Sequence, residues 1–472
     1  MIRFFKTNYS YLIVLLFAIL YCMFLSNNPT TDSYAYAVSS LSGKDLIYPH
    51  HLLYTPLCYI IIRAFAFTGL EAIKMLQIFN VLLSCLSLLV LRKILKKVNN
   101  KESIVASVIM FCGSCYGFLR FAIDNEVYIL FLLFSLLAIY YMQTLLTENT
   151  LPKLIKLSVC LLLACLSFQM GILLWVPTLF VLIYLRKKRN LIVFLLISLV
   201  IPLVYCVISY LTMGYFSIGS LMKFVLNDYY QGTASGPILK QVLFLTPISL
   251  FRTFVQLHGT MITILKVHKL ISLVVIVACF ALFVLGLIKI KKSTKRNSAL
   301  SVENLFVYYC ISITILVFLF AAFSNGNAEF MVLLPFVLVI ILMYKREKLG
   351  FIFYFACGLL VWNTYFALIP THNKNYNCNT QIVRYIHSHP QYSYILFDKP
   401  TIENQYNYLY FPDTLSFAKK DTSLTDCFAD KRPLSRGSLL SKDFPFTKDS
   451  LFVTFYSNLD TITLYSIKER EE

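Results

Sequence analysis

Apolar stretches long enough to cross a bilayer recur from residue 10 to residue 369, separated by short polar breaks. The lipid interior offers no hydrogen-bond partners to backbone N–H and C=O groups, so such a chain must satisfy them inside its own helices. The pattern predicts an all-α polytopic membrane bundle. The spans fall at residues 10–26, 71–91, 103–119, 127–146, 154–168, 171–185, 191–213, 270–289, 303–323, 330–344 and 350–369, eleven in all. Composition agrees, with 58% hydrophobic and 14% charged residues and a mean hydropathy of +0.71, which exclude a soluble globular chain.

A net charge of +19 would point to nucleic acid in a soluble protein. Here the basic residues lie mostly in short runs between apolar segments, where they orient helices. Nucleic acid is therefore not an expected partner, whereas membrane lipid is. With a cytoplasmic N-terminus, the inside loops hold Arg3 and Lys6, Arg92 to Lys101, Lys153 and Lys156, Arg186 to Arg189, Lys289 to Arg296, and Lys345 to Lys348. Asp32, Asp45, Glu71, Asp124, Glu126, Asp228 and Glu329 then fall outside. Inside lie Glu102, Glu148, Glu303 and Glu347, each beside a basic run able to neutralise it. This is the layout of a multi-pass protein of the cell inner membrane.

The same charge test settles residues 50–67, which are long enough to span. Were they to do so, the Arg92–Lys101 cluster would move outside, so they are expected as a re-entrant or interfacial helix on the outer face. Residues 240–265, interrupted by Pro247 and Gly259, stay outside for the same reason. No small-x-small site follows the first apolar segment, and Tyr21 before Cys22 does not fit lipoprotein cleavage, so it is expected as an uncleaved helix.

Eleven of the thirteen cysteines, Cys22 through Cys357, lie in or beside apolar segments as small hydrophobes, with no zinc-like spacing. Cys112 and Cys115 form a C-x-x-C inside an apolar run and are read as packing residues. Cys378 and Cys427 fall in the polar tail, where a disulfide can form if the tail is extracytoplasmic. The organisation expected is a transmembrane domain over 1–370, with a large first outer loop over 27–70, and a small extracytoplasmic α/β domain over 371–472. In that domain residues 380–387 read as a helix, and 392–397, 450–456 and 461–467 as strands. There is no internal repeat, phosphate-binding loop or dinucleotide fingerprint.

The chemistry-bearing residues gather in the outer loops. Thr30 or Thr31 can cap a short helix that Gly43 ends. Tyr34, Ala37, Val38 and Leu41 form one apolar stripe suited to the membrane surface, with Asp32, Tyr36 and Ser39 on the other side. Asp32 would then face a cavity in the bundle; the plainer alternative is that it only favours the helix dipole. The short loop from Arg120 to Glu126 sets two further carboxylates, Asp124 and Glu126, at membrane depth, where charges are costly and tend to be functional. One of the two can equally be a helix cap. Asn327 and Glu329 form a similar loop before the span that contains Pro335. His50 and His51 follow Pro49 and can hydrogen-bond a phosphate or sugar, or simply anchor the interface. Gln169, between two closely linked spans, is a candidate of the same type.

These residues carry a resemblance. A first helix, a long loop with an early aspartate, a P-H-H-L-L-Y-T-P-L element from Pro49 and an R-x-x-x-D-x-E loop from Arg120 together resemble the GT-C superfamily of integral-membrane glycosyltransferases. That superfamily includes the protein O-mannosyltransferases and the lipid A aminoarabinose transferases. The likeness is one of layout and short motifs over residues 1–369.

The resemblance implies a sugar donor carried on polyprenyl phosphate, an acceptor glycan, lipid or protein on the outer side, and inverting transfer. The family's first-loop acid corresponds to Asp32, as general base, and its second-loop acid to Asp124 or Glu126. Ser33 stands where many members carry a second acid, which argues against a metal-binding variant. No cofactor is implied, the lipid-linked sugar being a co-substrate. A base for the acceptor hydroxyl and positive charge for the departing phosphate are what the reaction requires. Arg120, His50, Lys223 and Arg252 are the outer-face candidates for the second role, with His51, Glu329, Asn327 and Gln169 as further substrate contacts. Two other classes fit an apolar chain of this kind: a transporter or flippase of lipid-linked sugars, and a non-catalytic membrane component of a polysaccharide assembly system.

Overall fold

The computed structural model describes residues 8–230, 236–257, 260–290, 301–347, 349–376, 378–388, 392–395, 399–412, 451–456 and 461–468. We number the helices of seven residues or more. They are α1 (Ser10–Met23), α2 (Thr31–Ser42), α3 (Tyr54–Ala64), α4 (Ala72–Lys96), α5 (Glu102–Ser114), α6 (Tyr116–Ala122) and α7 (Tyr128–Thr147). There follow α8 (Leu151–Ser167), α9 (Ile172–Tyr184), α10 (Lys188–Ser198), α11 (Val200–Met213), α12 (Ile218–Val225), α13 (Leu239–Phe254) and α14 (Thr260–Val267). The last are α15 (Lys269–Ile290), α16 (Ser301–Phe323), α17 (Leu334–Lys345), α18 (Phe351–Asn363), α19 (Asn379–Ser388) and α20 (Lys399–Leu409).

Among the described residues seven helices are long and apolar enough to cross a membrane, or up to eight if α5 and α6 count as one, rather than the eleven expected. The reason is local backbone geometry. The segment expected to span at 103–119 breaks at Cys115, where α5 and α6 diverge by 70°. The first apolar stretch yields a helix of only 14 residues, a rise of about 21 Å against a hydrocarbon thickness of about 30 Å. Hydropathy counts apolar residues and is blind to where the backbone turns. The 11 residues of α3 likewise fall short of a span.

α4 and α7 form the centre of the bundle, while the continuous α10–α11 helix and α15 leave most of their surface uncovered by protein. α4 carries Gln77, Asn80, Ser84 and Ser87, all buried. Ser84 and Ser87 donate to carbonyls of their own helix, which leaves Gln77 and Asn80 to bind across the bundle. At the far end of α4, Arg92 donates to Ser10 Oγ, Tyr11 Oη and Asn8 Oδ1 at 2.7, 3.0 and 2.9 Å. Glu102 is held there by Lys96 Nζ at 2.6 Å, and Glu148 pairs with Lys153, so these two acids are neutralised by the basic runs beside them. Cys112 and Cys115 are buried free thiols at the α5–α6 bend.

The strands Tyr392–Ile395 (β1), Leu451–Tyr456 (β2) and Thr461–Lys468 (β3) pair antiparallel in the order β1-β3-β2, with Tyr392 opposite Lys468 and Leu451 opposite Ser466. Much of the α/β domain expected over 371–472 falls at 396–398, 413–450 and 457–460, outside the described residues, as does Cys427. Cys378 is a buried free thiol. α19 and α20 pack through Ile382, Val383, Ile386, Ile402 and Tyr406. α20 also reaches back to the start of the chain, and this contact shapes the site.

Candidate active site

Thr30 caps α2, its Oγ1 accepting from Ser33 N at 3.1 Å, and Gly43 ends the helix at φ 71°, as the sequence pattern required. Asp32 sits in the first turn. The apolar stripe is not laid on lipid, however. The Tyr34 ring lies 5.7 Å from that of Tyr408 on α20, and Thr31 Oγ1 meets Thr401 Oγ1. On the other side Tyr36 is buried against Tyr48, Tyr54 and His51, with ring centroids 5.5, 5.3 and 6.1 Å away. Helical periodicity identifies a face that needs cover; whether lipid or protein supplies it is decided elsewhere in the chain.

The entry to α2 is pinned by the loop between α6 and α7. Asp124 is fully buried and pairs with Arg120 Nη1 at 2.8 Å. Its Oδ2 also accepts from Thr30 N at 3.2 Å, and its Oδ1 from Ser33 Oγ at 2.7 Å and Asn125 N at 2.9 Å. Every lone-pair direction of Asp124 is therefore engaged. Asn80 supports the loop from below by donating to Asp124 O and Glu126 O, both at 2.8 Å. Tyr54 Oη donates to Asn125 Oδ1 at 2.6 Å, and Asn125 Nδ2 donates to Ser33 O at 3.0 Å. Asn80→Ala would leave two buried carbonyls short of a partner and is expected to cost about 2–3 kcal/mol, read as a lower thermal midpoint of the purified protein in detergent.

Three carboxylates remain around this pinned entry. Glu126 is buried and accepts from Thr30 Oγ1. Burial first, then Asp32, Asp124 and Glu329, pushes its carboxyl well above the usual range. Glu329 is exposed and accepts from Tyr128 Oη at 2.7 Å, in a turn capped by Asn327 Oδ1, which accepts Glu329 N at 3.0 Å. Asp32 is open to solvent, yet protein crowds it enough to raise its carboxyl to about 6, burial acting first and Glu329 and Asp228 after it. Tyr36 is buried and its hydroxyl has no hydrogen bond among the described residues; Asp32, Glu126 and Glu329 all act on it electrostatically.

The remaining sequence candidates separate. His50 Nε2 stands 3.5 Å from Asp228 Oδ2, and burial outweighs that carboxylate in lowering its basicity. His51 is buried between His50 and Phe168, with ring centroids at 4.7 and 5.1 Å, and burial followed by His50 drives its pKa well down. Gln169 Nε2 donates to Pro49 O at 3.3 Å and Val225 O at 3.1 Å, clasping the histidine loop to α12. Lys223 is exposed on α12. Arg252 lies on α13 with a buried Nε that has no partner among the described residues. Among the described residues no three His, Cys, Asp or Glu side chains are grouped to hold a metal ion.

Tyr54, Gln77, Asn80 and Asn125 help build the site's frame although none stands among the candidates read from the sequence, and Thr30 and Ser33 bond to the Arg120–Glu126 loop besides forming the cap of α2. Gln77 and Asn80 left a usable signal, since uncharged polar residues inside an apolar segment need a partner. A second clasp was also missed. Asn28 Nδ2 donates to the carbonyls of Pro370, Thr371 and Asn373, and His372 Nδ1 meets Leu25 O at 2.8 Å. This ties the end of α1 to the end of the last apolar span.

Together these elements define a multi-pass helical membrane protein in which Asp32, Glu126 and Glu329 act electrostatically on the buried Tyr36 beside the entry of α2. No protein-family model matches the chain, and no curated protein sequence is similar to it.

Proposed function

We propose that the protein is a membrane glycosyltransferase of the GT-C kind, which moves a sugar from polyprenyl phosphate to an acceptor hydroxyl on the outer side of the inner membrane. The observation that carries this reading is Asp32, a solvent-reached carboxylate raised to about 6 on a helix pinned by a fully bonded buried network. A general base is most effective with a pKa near the working pH and a fixed position. Asp32 takes the acceptor's proton as its oxygen attacks the anomeric carbon. The carbon–oxygen bond to the phosphate breaks on the opposite face, so the configuration inverts, and polyprenyl phosphate leaves as an anion. Arg252, whose Nε is unpaired, and the exposed Lys223 are the groups available to that anion. Arg120 and Asp124 position α2, and burial, followed by Glu329 and Asp228, keeps the base's pKa high. Asp32 then lies on the outer face, with the tail beyond residue 370 on the same side as a small α/β unit.

The test is incubation of membranes containing the protein with radiolabelled polyprenyl-phosphate sugars, followed by analysis of products. Label is expected in a glycan, lipid or protein acceptor, with a rate that rises with pH and levels off above about 6, where Asp32 has lost its proton. Labelled lipid crossing the bilayer of liposomes without product would instead favour transport.

A further inference from the structure

α13 has inverted polarity. Its buried residues are Thr246, Ser249 and Thr253, which share one narrow stripe of about 60° of helical arc. Its exposed residues include Leu239, Leu243, Phe244, Ile248 and Phe251 at 73, 61, 65, 49 and 66%. In water such a helix would turn the other way. In hydrocarbon the apolar face belongs outside, and small polar residues belong against protein, where they permit close approach.

The contacts are of that kind. Gly117 of α6 lies against Thr253, where a Cβ would come 3.5 Å from Thr253 O. Gly326, at φ +75°, lies against Thr246, where a Cβ would come 2.6 Å from the Thr246 nitrogen. Protein side chains also bond to the backbone at the helix ends. Ile238 N donates to Asn325 Oδ1 at 2.7 Å. Asn363 donates from Nδ2 to Phe254 O at 2.8 Å and accepts Gln256 N on Oδ1 at 2.9 Å. Trp362 Nε1 donates to Gln256 O at 2.9 Å. At the C-terminal end the side chains of Asn363 and Trp362 thus satisfy backbone groups, as a helix end in lipid requires. With 16 residues, α13 rises about 24 Å, short of the roughly 30 Å of a span.

The α10–α11 helix, apolar and largely uncovered, presents a surface of the same kind. The membrane-crossing α10–α11 helix ends at Met213, and exposed Tyr215, Phe216, Ile218 and Met222 follow at once. We infer that α13 is embedded among the acyl chains of one leaflet without crossing the bilayer, its Leu/Phe face against lipid and its Thr246–Ser249–Thr253 stripe against the bundle. Lys240 is exposed near the start of the helix, where a long cationic side chain can reach the headgroups. This surface rests on packing and polarity alone and stands independently of the catalytic reading.

The full-length protein carrying Phe244→p-benzoylphenylalanine or Phe251→p-benzoylphenylalanine tests it. Each is reconstituted in phosphatidylethanolamine/phosphatidylglycerol vesicles, irradiated and examined by intact mass. Leu203, 61% exposed in a membrane-crossing helix, and Lys44, exposed beside the Gly43 turn, are the lipid-facing and water-facing controls. Phospholipid adducts are expected at both α13 positions in yields comparable to that at position 203 and well above that at position 44. A lipid adduct at position 203 with none at 244 and 251, or with crosslinks there to another protein in place of lipid, would overturn the inference.

Discussion

Asp32→Asn is expected to remove sugar transfer by a factor of about 10²–10⁴, the usual contribution of a positioned general base, while making the protein more stable at neutral pH. The two effects have one origin. The folded protein raises the carboxyl from 3.8 to about 6, so folding favours the protonated form. The stability from that preference is fully present below the unfolded value and is lost as pH rises through about 6. At pH 8 the ionised Asp32, facing Glu329 and Asp228, is a net cost to the fold. Asparagine cannot ionise and avoids it. Solvent reaches the group, so screening limits the gain to about 1 kcal/mol or less.

Thermal unfolding in detergent at pH 8 should therefore show a higher midpoint for the variant. The difference should vanish below the unfolded value of 3.8, where both side chains are neutral. Retained transfer would remove Asp32 from the mechanism. Loss of transfer together with a lower midpoint at pH 8 would make it a structural residue.

What could be read from residues alone was local. Thr30 and Gly43 bound α2 because cap preferences are matters of a few neighbouring atoms. The i,i+4 spacing of Arg120 and Asp124 was equally visible, and they do pair. Contacts made across the chain were not. Nothing near Tyr34 indicates that Tyr408, far along the sequence, will cover it. The bend at Cys115 has no proline to announce it, and it converts one expected span into two short helices. Gln169 clasps two loops whose carbonyls, Pro49 O and Val225 O, are brought to it from distant parts of the chain. In an apolar chain hydrophobicity says little about which helix meets which. The polar residues inside the apolar runs carry that information, and Asn80 and Asn363 were the ones to follow.

The largest loss of stability is expected from Asp124→Leu. This carboxylate has no exposed surface and takes one ion pair and three hydrogen bonds. Removing it leaves Arg120 charged in a site with 16% of its side chain exposed, and breaking a buried pair in this way costs about 3–5 kcal/mol. Arg120→Met combined with Asp124→Leu removes the stranded charge and should recover about 1–2 kcal/mol relative to the single change. Recovery stays partial because Thr30 N, Ser33 Oγ and Asn125 N still lose their acceptor. Strictly additive losses in a double-mutant cycle of thermal unfolding would show that the pair contributes nothing of its own. The same variants report on the site. With the entry of α2 released, Asp32 is less crowded and its pKa falls from about 6 toward 3.8. The acid limb of the transfer rate should then move to lower pH in whatever fraction remains folded. If the rate drops with no movement of that limb, the Asp124 network supports the fold without setting the basicity of Asp32.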